Sequence, residues 1–324
     1  MIGNRWRRIF LAFAGLFCVA AIAGASYQAM ATRADVRLFP RPGRLVTAGQ
    51  LHLNLYCTGQ GSPTVILESG LADSLDSWRR VQPEVARFTR VCSYDRAGYG
   101  YSDLGPMPRT ADRIATELHA ALQPAGEKPP FILVGHSFGG FIVRVFNGQY
   151  PDEVAGLVLV DSTQEDQYRL LPRAWADLGI AMRRRVRRQA FWAPLLIDFG
   201  ITRLQLQMQG LRVPTVLLQT KYLKARSSEF QNIEVSAEQA RSAGHLENKP
   251  LLVLTAAKVI DASLKAALSD QDQRNYQQTW ISELQPRLAR LSTQGRRIIV
   301  PDSGHDMPAD RPDAIVAAVR ELSR

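Results

Sequence analysis

Ser137 lies in Gly135-His136-Ser137-Phe138-Gly139, a G-x-S-x-G pattern, with Gly140 directly after it. A serine hydroxyl is almost un-ionised at neutral pH, so it attacks a carbonyl only with a base in hydrogen-bond reach. Five histidines are available. His52 falls in an alternating hairpin, His119 inside an amphipathic helix, and His245 at the end of a Gln- and Arg-rich stretch. A sharp turn at the serine points its neighbour His136 elsewhere. His305 is the candidate base, because Asp302-Ser303-Gly304-His305 follows the strand-like RRIIV after a short loop. The base in turn needs a carboxylate to fix its tautomer. Asp161 closes the apolar run GLVLV and is favoured because it needs no loop excursion. Asp261, a few residues past PLLVLT, is the alternative acid, with helix capping as its structural role. Two backbone amides would complete the site by holding an oxyanion: Phe138, the residue after the serine, and Leu71, just past Gly70. Such donors contribute on the order of 3 kcal/mol each in acyl transfer. The chemistry implied is acyl transfer through a serine.

These side chains need a rigid frame. Residues 131–134 (FILV) suit a strand buried on both faces, and the apolar FIVRVF after Gly140 suits a helix. Strand, tight turn, helix is the context that lifts a serine out on strained backbone. Upstream, LVTAGQLHLNLYCTG reads as a hairpin, TVILE as a buried strand, residues 78–88 as a helix, TRVCSY as a strand and residues 110–122 as an amphipathic helix. Strands and helices alternate as far as GLVLV, which predicts a mainly parallel sheet with helices on both faces. The alternation then stops. Residues 162–249 carry fourteen basic against eight acidic residues and no strand pattern. They start at a strand's C-terminal end, where such folds build sites, and read as a helical cap. PLLVLT resumes the sheet, followed by a helix over 271–292, a strand over 297–300, a loop, and a terminal helix over 312–322.

The chain has 324 residues, 46% hydrophobic and 22% charged, which is enough for one large α/β domain with an insertion. Its net charge is +10 and its pI about 9.8. Zinc spacings, aromatic RNA-binding patterns and basic tails are absent, so nucleic acid is not the expected partner. Arg5, Arg7 and Arg8 precede the uncharged residues 9–25, the pattern of a signal peptide or signal anchor over residues 1–31. Either places the rest of the chain beyond the membrane, after a linker over 32–43. The run Met182-Arg183-Arg184-Arg185-Val186-Arg187-Arg188 reads as a solvated helix face or as a contact for anionic headgroups.

Taken together, ILESG, YDRAGYGYSD, GHSFGG, GLVLVDS, PLLVLT and SGHDMPADRP resemble the α/β-hydrolase superfamily, over a core of residues 44–161 and 250–324 around the variable cap. The resemblance implies an eight-stranded, mostly parallel sheet and a serine hydrolase-type site without metal or organic cofactor. It implies a small-molecule or lipid-like ester substrate, with acyltransferase, peptidase or cofactor-free haloperoxidase-type activity as variants, and a non-catalytic binding module as the reading from another class. Two features depart from the family: Ser69-Gly70 replaces the usual His-Gly pair, and Ala-Ala-Lys follows PLLVLT where an acidic stretch is usual. The family's strand order sets the second and fourth strands side by side, which implies a disulfide between Cys57 and Cys92.

Overall fold

Short apolar runs can pair all their backbone groups away from water in a sheet covered on both faces. The chain builds one such sheet. The computed structural model describes residues 2–210, 219–258, 260 and 262–324. Its strands are β1 (Arg44–Ala48), β2 (Leu51–Thr58), β3 (Thr64–Glu68), β4 (Val91–Asp95), β5 (Phe131–His136), β6 (Val154–Val160), β7 (Leu251–Ala256) and β8 (Gly295–Val300). They form one eight-stranded sheet in the order β1-β2-β4-β3-β5-β6-β7-β8. Only β2 runs against its neighbours β1 and β4; the other pairs are parallel.

The helices are α1 (Ile2–Leu38), α2 (Gln82–Val85), α3 (Ala111–Leu122), α4 (Gly139–Gln149), α5 (Gln167–Leu170), α6 (Arg173–Asp198), α7 (Ile201–Met208), α8 (Thr220–Gln231), α9 (Ile233–Ser242), α10 (Ala262–Ala267), α11 (Asp270–Thr279), α12 (Gln285–Ala289), α13 (Met307–Asp310) and α14 (Pro312–Leu322). Strand alternation divides the core in two. On β5, Phe131 and Leu133 join the cluster with α3, α4 and α9. Ile132 and Val134 join the opposite cluster with Val85, Trp280, Ile315 and Val319. Within residues 162–249 the described elements are the helices α5 to α9, joined by turns and extended residues, with one isolated bridge from Glu247 to Ser292. Cys57 and Cys92 face each other across β2 and β4 and form a disulfide.

Three sequence expectations change. Residues 78–88 do not form one helix but a 3₁₀ turn at Leu75–Trp78 and the short α2. Pro83 in the first turn of α2 has no N–H with which to continue a preceding helix. The linker expected from residue 32 begins later, because α1 runs to Leu38, two residues before Pro40. By length and composition α1 can cross a membrane, with a mean hydropathy of 2.3 over its apolar window. The helix expected over 271–292 starts at Asp270, capped by Ser269, and is interrupted by a π turn at Trp280–Leu284. Pro286 explains the interruption: it offers no N–H and crowds the carbonyl four residues back.

Candidate active site

The turn at Ser137 depends on two close approaches. A Cβ on Gly139 would lie 2.5 Å from the Glu68 carbonyl oxygen, and one on Gly135 would lie 2.7 Å from that of Gly139. Ser137 itself has a φ of 50°, a left-handed conformation that costs a non-glycine residue energy. The turn sits at the C-terminal end of β5, beside the ends of β3 and β6.

Ser137 Oγ is 2.9 Å from His305 Nε2, and His305 Nδ1 is 2.7 Å from Asp161 Oδ2. The Asp161 contact requires the proton on Nδ1, so the serine hydroxyl donates to Nε2. Asp161 is fully buried and also accepts from the Ala256 amide (3.0 Å) and from Trp280 Nε1 (2.9 Å). Its N–H donates to Leu254, and its φ of 37° is again left-handed. The π turn in the α11–α12 region presents Trp280 to this carboxylate. Asp261 lies outside the described residues. Burial on its own would lower the His305 pKa, but the bond and charge of Asp161 outweigh it and raise the value above 6.5. The ring is 42% exposed, so burial opposes its protonation only weakly and the bond to Asp161 prevails.

His136 is indeed turned away from the serine. Its Nε2–H donates to the His305 carbonyl at 2.7 Å, which ties down the loop that carries His305. Its buried Nδ1 has no partner among the described residues, and burial drops its pKa from 6.5 to about 4. His52 pairs with Asp103, His119 with Glu153 while stacking on Tyr150, and His245 is exposed. None of these three touches the site.

The two amides named from sequence are aimed through their own peptide planes. In a planar trans peptide the C=O and the following N–H point in opposite directions. The Ser137 carbonyl accepts from the Thr163 amide (3.1 Å), Thr163 Oγ1 (3.0 Å) and the Gly140 amide (3.0 Å), which turns the Phe138 N–H the other way. The Gly70 carbonyl accepts from Arg96 Nη2 at 2.7 Å, which does the same for the Leu71 N–H. A Cβ on Gly70 would lie 3.4 Å from the Ser137 Cβ, so this loop passes close to Ser137.

Arg96 was not singled out from sequence, although it stands in the quoted YDRAGYGYSD. It is 2% exposed and donates to the Ser69 carbonyl, the Gly70 carbonyl and Glu68 at 2.7–2.8 Å. It also meets both oxygens of Glu229 on α8 at 3.1 Å, and Tyr99 donates to Glu229 at 2.7 Å. Burial pushes the Glu68 carboxyl up, while Glu229 and Glu68 hold Arg96 charged against the opposing effect of burial. With Arg96 and the Tyr94 hydroxyl both donating to it, we take Glu68 as ionised. The sequence offered a signal only in hindsight: a lone arginine between apolar strand and glycine-rich loop.

A pocket of about 330 Å3 opens on Ser137 and His305. It is lined by Tyr168, Trp175, Met182 and Phe230 from α5, α6 and α8 and by Tyr276 and Trp280. Burial raises the Tyr168 pKa to about 12, so its hydroxyl stays protonated. Arg183 also lines this pocket and pairs with Glu234 at 2.7 Å, which sets it apart from the exposed arginines 184, 185, 187 and 188.

A family model described as the alpha/beta hydrolase fold matches residues 63–207. Among curated proteins, the uncharacterized protein YbdG of Bacillus subtilis (strain 168) is 26% identical over 162 residues, 49% of this chain and 50% of its own length. The chain spans half or less of the first curated relatives it matches. A thermophilic esterase from Thermogutta terrifontis superposes with a TM-score of 0.59 at 21% identity, covering 87% of this chain and 99% of that one. An enol-lactonase from Burkholderia xenovorans LB400 does so with a TM-score of 0.56 at 16% identity, covering 86% and 99%. Both likenesses concern the fold.

Proposed function

We propose that this chain, which belongs to the α/β-hydrolase superfamily, is a serine hydrolase that cleaves an ester through an acyl-enzyme on Ser137. The observation that carries the reading is the continuous hydrogen-bonded run Ser137–His305–Asp161, with no gap longer than 2.9 Å. His305 Nε2 takes the serine proton as Oγ attacks the ester carbon. Asp161 holds the imidazole in the Nδ1–H tautomer and stabilises the imidazolium. The Leu71 and Phe138 amides receive the oxyanion. His305 then returns the proton to the leaving alcohol, and water, activated by the same base, releases the acid. The apolar walls of the pocket suit the acyl part of a small or lipid-like ester. In this reading α1 is a membrane anchor, residues 44–161 and 250–324 are the catalytic core, and residues 162–249 are its cap. Arg5, Arg7 and Arg8 stay on the cytoplasmic side and the catalytic domain lies beyond the membrane.

A fluorophosphonate probe tests this. Wild type is expected to label, and Ser137→Ala to remain unlabelled with its fold intact. Asp161→Asn should lower kcat by roughly 10³- to 10⁴-fold, in the range known for loss of a triad carboxylate, whereas Asp261→Asn leaves it near wild type. A well-folded wild type that does not label would point to a binding module instead.

A further inference from the structure

The distal end of the cap is apolar. Phe191, Trp192, Leu195 and Leu196 near the end of α6, with Leu204 and Met208 on α7, are all exposed, Phe191 at 70% and Met208 at 81%. Scattered apolar side chains are ordinary on a surface, but a patch across two packed helices marks contact with an apolar partner.

The neighbour of this patch identifies the partner. A Cβ on Gly24 of α1 would lie 2.3 Å from the Phe199 carbonyl oxygen, and one on Gly200 would lie 2.9 Å from the Tyr27 ring. The corner between α6 and α7 therefore rests on the backbone of α1. Towards the end of α1 the contacts turn polar: Tyr27 to Gln207 (2.5 Å), and Arg203 to Gln28 (2.9 Å) and Asp35 (2.6 Å). A bilayer core of about 30 Å takes about 20 helical residues. Counted from Ile9, the first residue after the arginine cluster, that length ends near Gln28. Gly24 is four residues inside this limit, or about 6 Å at 1.5 Å per residue. The corner touching Gly24 thus lies at the depth where amphipathic interfacial helices settle, about 5–10 Å. Arg184, Arg185, Arg187 and Arg188 are exposed just before Phe191 on the same helix, so a corner placed in the leaflet brings positive charge towards the headgroups, where it is favoured. The first half of α6 carries Trp175 and Met182 into the pocket wall, so one helix links pocket and patch.

We propose that the α6–α7 corner is a membrane-inserting tip, dipping into the leaflet on the catalytic side and holding the pocket at the bilayer surface. The site accordingly draws its esters from the lipid surface. This inference rests on the reading of α1 as a membrane span and of Ser137 as the nucleophile of an esterase.

The test uses the full chain, with Cys18→Ser, in phosphatidylcholine–phosphatidylglycerol vesicles. Leu195→Cys or Leu204→Cys carries an environment-sensitive fluorophore, and Leu104→Cys, exposed on the core, is the reference. Quenching by lipids with a nitroxide on an upper chain carbon is expected to exceed half at both tip positions and to be negligible at Leu104. Tip signals equal to the reference overturn the proposal, as does self-quenching between labels without lipid quenching, which assigns the patch to a second copy. In parallel, Leu195→Asp combined with Leu204→Asp is expected to slow hydrolysis of a vesicle-embedded ester about tenfold and to leave p-nitrophenyl butyrate unaffected. Equal losses on both substrates overturn the claim about substrate delivery. A wild type that inserts its tip yet leaves p-nitrophenyl butyrate intact upholds the tip and refutes the esterase reading.

Discussion

Two side chains near Ser137, Arg96 and His136, hold the neighbouring loops through their carbonyls. Arg96 is tied to two carbonyls and two carboxylates at once, and the Gly70 carbonyl shares its peptide with the Leu71 amide. A lysine is a point charge that cannot serve this planar fork of acceptors. Arg96→Lys is therefore expected to lower kcat by about 10- to 100-fold with KM within about twofold. A trifluoromethyl ketone inhibitor, which carries the oxyanion, should weaken by the same factor. A raised KM with unchanged kcat would show that Arg96 serves only the packing of α8. His136 concerns stability instead. It stays neutral in the folded chain down to about pH 4 but titrates near 6.5 when unfolded. Above pH 6.5 neither state takes the proton. As pH falls from 6.5 towards 4 only the unfolded state gains it, so stability is lost, on the order of 3 kcal/mol for a shift of this size. Thermal melts between pH 7.5 and 4.5 should therefore fall more steeply in wild type than in His136→Gln, which retains a donor for the His305 carbonyl. Parallel curves would refute this.

At the level of elements, what was legible in the sequence followed from local rules. Buried strands announce themselves by apolar runs and helices by periodicity, so all eight strands, α3, α4 and α14 lie within a few residues of their expected places. The Gly-bracketed serine and the histidine beyond RRIIV needed only the knowledge that parallel strands end on one edge. Two things were not local. Interruptions of helices by Pro83 and Pro286 depend on whether tertiary contacts continue the helix elsewhere, and at Trp280 a π turn does so while bringing an indole N–H to Asp161. Arg96 is harder still, because its partners Glu68 and Glu229 stand 28 and 133 residues away, on a strand and on the cap. No spacing rule joins an insertion to a loop. The disulfide falls between these cases: neither cysteine has a motif, and strand order alone brought them together.

For the whole molecule, the disulfide gives a test of the proposed membrane topology. In the proposed topology, the positive residues before the apolar stretch of α1 keep the N-terminus cytoplasmic, and everything after Leu38 lies across the membrane. Disulfides persist there and are rare in the cytosol. The Cys57–Cys92 link spans 35 residues between adjacent antiparallel strands, and restricting the unfolded chain over such a loop contributes about 4 kcal/mol in the chain-entropy estimate. The membrane-inserted protein is thus expected to resist alkylation at both cysteines until reduced, while its exposed Cys18, in the apolar helix, differs in being a thiol throughout. Replacing Cys57 and Cys92 together by serine should lower the melting temperature of the catalytic domain by several degrees, and reducing agent should lower wild type to the same value. Thiols at 57 and 92 that alkylate without reduction in the membrane-inserted chain would instead place the domain on the cytoplasmic side, and the charge rule at Arg5, Arg7 and Arg8 would then be overruled by the fold it precedes.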